Sequence, residues 1–341
     1  MTRPIRHLLV VALAAAALTG GTTTASAAPR DGVAAGGCSR SATATDTTVD
    51  VVFGGITHPV LVHVPGVETG EGRLPLVLNL HGSSSNGSVQ MDISGLREVA
   101  DEEDFVVAAP TAAIPLVEPS PELPLGGWAW NVPGVPTTAG AFPPADARDD
   151  VAFLDEVVDE ITEQLCTDPR RTYATGFSGG GRMASTLACE RPDVVAAIAP
   201  VAGLRAGRPD PDDVTVPEVE DCRPDRPVPV LTFHGEQDQV NPYAGNEDLR
   251  WGYAVPLAVQ TWARLDDCRV GPEATQVTEH VTLFEYSECR RGAEVDFYRI
   301  SDGGHTWPGT DVPLPGLGTV SQEVDAARAM WDFFADHRLR R

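Results

Sequence analysis

Residues 172–184 read TYATGFSGGGRMA. A run that fits a strand, Thr172–Thr175, leads into Gly176-Phe177-Ser178-Gly179-Gly180, and helix formers follow. Glycine weakens regular structure, so Gly176, Gly179, Gly180 and Gly181 crowded around one serine call for a backbone reason. The G-x-S-x-G spacing supplies one: a serine on a sharp strand-to-helix turn, where side chains at the flanking positions would collide. A serine in a glycine-rich surface loop is the plainer alternative, and the rest of the chain has to choose between them.

Working outward, strand-like runs recur at Val49–Phe53, Pro59–Val64, Pro75–Leu80, Phe105–Ala109, Thr172–Thr175, Val194–Val201, Pro229–His234 and Val295–Ile300. Several are continuous Val/Ile/Leu runs, the pattern of parallel strands covered on both faces. Helical periods fall between them. Over Asp149–Leu165, Val151, Leu154, Val158, Ile161 and Leu165 share a face with acids opposite. Gly179–Glu190, Val255–Leu265 and Ser321–His337 are the other helix candidates. Strand and helix in alternation predict an α/β architecture with a mostly parallel central sheet flanked by helices. Two long Pro/Gly-rich segments, Thr111–Ala147 and Gly203–Arg226, interrupt the pattern, and loops of that length are usually functional or mobile.

A serine hydroxyl becomes a useful nucleophile when a base accepts its proton and an acid orients the base. Downstream lie His234, His280, His305 and His337. His337 belongs to the expected terminal helix with its arginine-rich end, His280 to polar surroundings, and His234 to a strand end that precedes the favoured acids. His305, in FYRISDGGHTWPG, follows a strand and sits on a loop at its end, where open α/β sheets place their ligands. The acid is expected after the preceding core strand, in PVLTFHGEQDQVNPYAG. Asp238 is the candidate there, with Glu236 competing and Asp296 buried inside a strand. For the developing oxyanion, the backbone N–H of Gly179 is one natural donor. The loop in PLVLNLHGSSSNG offers the backbone of Ser83 as the second, with His81 shaping the loop. Trp307, two residues past His305, and Trp128 and Trp130 in GGWAWN are candidate substrate-binding aromatics; loop packing is their ordinary alternative.

Together LHGSS, RTYATGFSGGGRMASTLACERPDVVAAIAPVAG, HGEQDQVNPYAG and GGHTWPG resemble the secreted esterases of the polyhydroxybutyrate-depolymerase-like family. That group includes feruloyl esterases, acetylxylan esterases and polyester depolymerases. The resemblance runs from about Thr48 to His337 and implies an α/β-hydrolase fold with Ser178, Asp238 and His305 as nucleophile, acid and base. Relatives often carry Asn or Ala where this chain has Gly179, and Cys or Thr where it has Ser83. Both positions would act through backbone. The chemistry implied is a serine carboxylesterase acting on feruloyl or acetyl esters of plant polysaccharide. A polyester depolymerase and, from another class, an acyltransferase with the same triad are the alternatives. Neither metal nor organic cofactor is expected, and no zinc-ligand spacing is present.

The whole chain of 341 residues sets the outer limits. Its 25 basic residues, every one an arginine, face 49 acidic ones, giving a formal charge of −24. Such a field disfavours nucleic acid, anionic membranes and strongly anionic substrates. The expected partner is an ester, small or oligomeric, or the surface of a polysaccharide or polyester, met by a monomer. Arg3 and Arg6, an apolar stretch over Leu8–Ala17 and then Ala25-Ser26-Ala27 have the layout of a secretory signal peptide cleaved near Ala27. The expected divisions are therefore 1–27 as signal peptide, 28–47 as a flexible mature N-terminus and 48–341 as one catalytic domain. Six cysteines in an exported chain favour disulfides. Cys268 with Cys289 is the expected pair, and Cys38, Cys166, Cys189 and Cys222 are left unassigned.

Overall fold

Runs of Val, Leu, Ile and Ala with both faces apolar can be buried only between two layers of helix. A computed structural model describes residues 42–66, 72–218 and 220–340 of this chain; the expected signal peptide, most of the 28–47 segment and Cys38 lie outside them. In chain order the elements are β1 (Thr45–Phe53), β2 (Ile56–Val64), β3 (Leu74–Leu80), α1 (Gly87–Ser94), α2 (Leu96–Glu103) and β4 (Val106–Ala109). Next come β5 (Ile114–Val117), β6 (Gly127–Ala129), α3 (Asp150–Leu165), β7 (Thr167–Phe177), α4 (Gly179–Glu190) and β8 (Ala197–Val201). The chain continues through β9 (Val230–Gly235), α5 (Val255–Leu265), β10 (Val270–Gln276), β11 (Val281–Ser287), β12 (Val295–Ile300) and α6 (Ala326–Ala335).

Ten strands form one sheet in the order β1-β2-β4-β3-β7-β8-β9-β12-β11-β10. The six from β4 to β12 run parallel, and antiparallel pairs finish both edges. Successive side chains on a strand point to opposite faces, and the burial follows that rule. In β3, Leu76, Leu78 and Leu80 join a cluster with Phe153 and Leu154 of α3, Met183 and Leu187 of α4 and Trp262 of α5. Val77, between them, joins Met91 of α1, Val99 of α2 and Met330 and Phe334 of α6 on the other face. Helices α3, α4 and α5 therefore cover one side and α1, α2 and α6 the other.

Several expectations need adjustment. Thr45, Asp46 and Thr47 were assigned to the flexible N-terminus but pair with Val64, His63 and Val62 as strand β1. All three are polar and exposed, so composition hid the strand. The β1–β2 hairpin closes through Gly54 and Gly55, both at positive φ (59° and 79°), as a two-residue turn with the right twist requires. The last helix is shorter than Ser321–His337, because the Asp325 carboxylate caps it by accepting from Arg328 N (3.1 Å). His337 falls beyond that helix, buried beside Phe333, with Nε2 3.1 Å from Glu294 Oε1. Strands β10 and β11 and the small β5–β6 pair were not anticipated.

Cys268 and Cys289 are joined, closing the base of the β10–β11 hairpin, and a second bridge links Cys189 at the end of α4 to Cys222. Cys166 is also disulfide-bonded. Among the described residues no helix is long and apolar enough to cross a membrane. The Cys268–Cys289 crosslink spans 21 positions, for which loss of unfolded-state entropy predicts about 3 kcal/mol. Replacing both cysteines by serine should lower stability by that order in urea unfolding. An unchanged midpoint would contradict the assignment.

Candidate active site

Strand β7 delivers the chain to Ser178, and α4 begins at the next residue. Ser178 has φ 55° and ψ −114°, a conformation few non-glycine residues adopt, which costs about 1–3 kcal/mol and persists only where its surroundings impose it. They do so here. The Ser178 N–H donates to Val201 O of β8 (2.9 Å), and α4 presses onto the end of β3. A Cβ on Gly180 would lie 2.1 Å from Leu80 O, so only glycine fits.

Asp238 follows β9 and His305 follows β12, two strands paired in parallel, so both groups arrive at the same end of the sheet as Ser178. The two loops touch at Gly235, where a Cβ would meet Gly303 O at 2.1 Å. The His305 Nδ1–H donates to Asp238 Oδ2 at 2.7 Å, with both residues buried. Oδ1 of the same carboxylate accepts from the N–H groups of Val240 and Asn241, each at 2.8 Å. Burial alone would raise the Asp238 pKa, but the hydrogen bond and charge of His305, with His234 and the Asn241 N–H, outweigh it and hold the carboxyl below its usual value. The His305 ring packs on Phe177, with centroids 5.0 Å apart. Ser178 Oγ and His305 Nε2 have no hydrogen-bond partner among the described residues. The acid–base half of the constellation is thus closed while the serine–histidine contact is open, a common state before substrate enters.

His81 has a defined tautomer. Its Nε2 accepts from the Ala112 N–H (3.0 Å), so Nδ1 carries the proton and donates to Gly82 O (2.7 Å). Complete burial pushes its pKa down to about 4, and it stays neutral. Because a trans peptide is planar, turning the Gly82 carbonyl toward His81 turns the Ser83 N–H the opposite way. A Cβ on Gly179 would lie 3.3 Å from Ser83 N, so the two backbones stand side by side at the serine.

The tryptophans resolve differently from expectation. Trp130 is buried, and its Nε1–H donates to His81 O (2.8 Å) while the ring lies 5.0 Å from the imidazole; it braces the loop and also lines a small cavity. Trp128, half-buried in β6, exchanges backbone hydrogen bonds with Ser84 and Ser85. Trp307 needs correction: only 1% exposed, it packs in the α1/α2/α6-side core and offers no surface to a cleft. The apolar bulk that suggested ring stacking is used for packing instead. Glu236 lies 3.6 Å from Arg299 and away from His305, and Asp296 faces Glu285 across β11–β12. His234 is buried, donates from Nε2 to Asn241 O (2.9 Å), and has its pKa pushed down to about 4 by burial.

Four further residues were missed because they lie in irregular segments or, as with Arg182, in the helix that follows the serine. The buried Arg205 guanidinium donates to Trp251 O, Leu204 O and Asn241 Oδ1 at 2.6–2.8 Å, so Asn241 links a buried cation to the Asp238 loop. Arg182, in the first turn of α4, is buried and neither terminal nitrogen has a partner among the described residues; the Trp251 indole N–H is equally unpaired. Burial, then repulsion from Arg205, pushes the Arg182 pKa down to about 9. Both residues line a cavity of about 30 Å³ whose wall includes Ser83, Gly179 and Trp130. It shares Thr138 and Arg250 with an open groove of about 430 Å³ that runs out to Phe142.

A fluted parallel sheet with a strained serine, a buried Asp–His pair and facing N–H groups at one end is the frame of an α/β-hydrolase esterase. The chain is 31% identical to "Putative esterase NocK" of Nocardia uniformis subsp. tsuyamanensis, covering 86% of this chain and 83% of that one. It is also 31% identical to feruloyl esterase B of Piromyces equi over 72% of its length, and spans only 42% of that relative. No family model matches. The solved structure of an acetyl xylan esterase from Aspergillus awamori superposes with a TM-score of 0.54 at 15% identity, covering 86% of this chain and 99% of that one; at that identity it speaks for the fold alone. The chain belongs to this family of carboxylic ester hydrolases.

Gly180→Ala tests the packing at the serine turn directly. Forcing a methyl against the Leu80 carbonyl should cost several kcal/mol, on the order of 3. A variant that melts within a degree of the parent would contradict the close approach.

Proposed function

We propose that this protein is a secreted serine carboxylesterase acting on feruloyl or acetyl esters of plant polysaccharide. The observation that carries the reading is the buried 2.7 Å His305–Asp238 hydrogen bond, placed at the sheet end where β7 presents Ser178 on a strained turn. His305 Nε2 takes the proton from Ser178 Oγ as the serine attacks the ester carbonyl, then returns it to the leaving alcohol. Asp238 keeps the proton on Nδ1 and stabilises the imidazolium. Its own lone pairs are occupied by the Val240 and Asn241 N–H groups, so it has little freedom to rotate away. The N–H groups of Ser83 and Gly179 receive the oxyanion, a contribution of about 100- to 1000-fold in rate per donor in comparable sites. Water admitted along the groove then cleaves the acyl-enzyme through the same base.

The substrate class draws on the relatives named feruloyl esterase and acetylxylan esterase. The unpaired donors of Arg182 and Trp251 beside the oxyanion position suit an acyl group bearing an oxygen acceptor. Polyesters are the second reading, kept by the exposed apolar Phe142 (57%) at the outer end of the groove. An acyltransferase would use the same three residues and differ only in admitting an alcohol in place of water.

The test is hydrolysis of methyl ferulate, an acetylated xylo-oligosaccharide, a hydroxybutyrate oligomer and p-nitrophenyl acetate by the parent and by Ser178→Ala, with products identified when a competing alcohol is added. The parent should cleave the panel with free acid as the main product, ferulate first among the natural esters. The variant should lose roughly 1000-fold or more. A variant as active as the parent would remove the serine mechanism, and esters of the added alcohol as the main product would replace the hydrolase with a transferase.

A further inference from the structure

The end of the sheet opposite the candidate active site has an unusual charge. Alanine and proline residues just before β8, β9 and β12 floor a cavity of about 230 Å³ whose walls carry Arg226, Arg290, Arg291, Arg338 and Arg340, with Asp336 as the one carboxylate. Elsewhere on this acidic protein many arginines are neutralised: Arg97, Arg148, Arg191, Arg208, Arg250 and Arg328 each have a carboxylate within ion-pair distance. Among the described residues, Arg290, Arg291, Arg338 and Arg340 have none, and all four are exposed. Four like charges converge where the chain, with 49 acids against 25 bases, had ample means to pair them.

Asp193 and Asp225 act on Arg226 from a distance, and two other nearby acids compensate little. Asp266 is fully buried, accepts from the Val228 N–H (2.9 Å), and has its pKa pushed up by burial to about 8. It is therefore mostly uncharged at neutral pH beside Arg226 and Arg290. Glu294 is engaged by His337. Arg226 is fixed in place, its guanidinium donating to the carbonyls of Pro192, Pro227 and Val195. It contributes charge without being free to move. No Phe, Tyr or Trp lines the cavity, and its one ring, the buried His337 imidazole, is engaged by Phe333 and Glu294, so recognition would rest on charge and the guanidinium forks.

We propose that this arginine-lined cavity is a binding site for a multivalent oxyanion, separate from the candidate active site. Guanidinium groups match the two oxygens of carboxylate or phosphate in paired hydrogen bonds. The volume exceeds what a single such group fills, and four exposed arginines around one fixed cation suit a ligand with two or more anionic groups. Sugar carboxylates on an acidic polysaccharide and linked phosphates present that same chemistry. Strand β12 has six residues, so the cavity lies roughly 20 Å from the His305 loop. Occupation there would hold the protein on an acidic polymer without obstructing the groove, whatever ester the groove takes.

Calorimetric titration of the whole protein at low salt with trigalacturonate and, separately, with inorganic pyrophosphate tests this. The expected result is one-to-one binding of at least one of them, weakened tenfold or more by Arg290→Ala/Arg338→Ala and by 0.3 M salt. p-Nitrophenyl acetate hydrolysis and the melting temperature should stay at parent values in the variant. Binding of trigalacturonate alone would identify a sugar carboxylate as the ligand, and binding of pyrophosphate alone a phosphate. Absence of binding for both, or binding undiminished in the variant, would overturn the proposal.

Discussion

Contact between Gly180 and the Leu80 carbonyl governs the geometry of this protein's candidate site. With 2.1 Å available to a hypothetical Cβ, helix α4 can sit on the end of β3 only if residue 180 has no side chain. That approach forces the chain through a left-handed turn at Ser178 and puts the Gly179 N–H next to Ser83. The β3 loop is in turn held by the neutral His81 imidazole between Ala112 and Gly82, with Trp130 bound to the His81 carbonyl. The candidate nucleophile and candidate oxyanion donors are thus set by one packing event between a helix and a strand. Strain at the serine is stored in backbone that the core on both faces of the sheet holds in place.

Electrostatics around the acid follows a different logic. A buried carboxylate is costly unless its lone pairs are occupied, and those of Asp238 are, by two backbone N–H groups and His305. Asn241 extends the network by accepting from Arg205, so a buried cation is satisfied a few ångströms from the pair without neutralising it directly. Arg182 departs from this economy. It is buried beside the oxyanion position with unused donors, and that is where a substrate oxygen would be rewarded most. At the far end of the sheet the exposed arginines around Arg226 also lack a carboxylate partner among the described residues, but exposed groups are solvated and the cost is small.

Much of this was legible in the sequence, because the pieces involved obey local rules. Strand runs buried on both faces, the G-x-S-x-G turn, and loops after β9 and β12 follow from apolar periodicity and glycine placement. Ser178, Asp238 and His305 could therefore be singled out as candidates before their geometry was known. Edge strand β10 escaped because an exposed, mixed sequence, VGPEATQ, has no face to mark it. Helices α1 and α2 are only eight residues each, shorter than a periodicity can establish. Trp307 was misplaced because nearness in sequence to His305 says nothing about which side of the sheet a ring packs on. Arg182, Arg205 and Asn241 were illegible for a related reason: their roles come from contacts between segments far apart in the chain.

A crystal structure of the protein after reaction with a p-nitrophenyl alkylphosphonate tests the central claim most directly. The account predicts a covalent bond from phosphorus to Ser178 Oγ, with the phosphoryl oxygen within hydrogen-bonding distance, about 2.7–3.1 Å, of both Ser83 N and Gly179 N, and His305 Nε2 turned to the serine oxygen. Phosphorus on another residue, or a phosphoryl oxygen turned away from those two N–H groups, would contradict it.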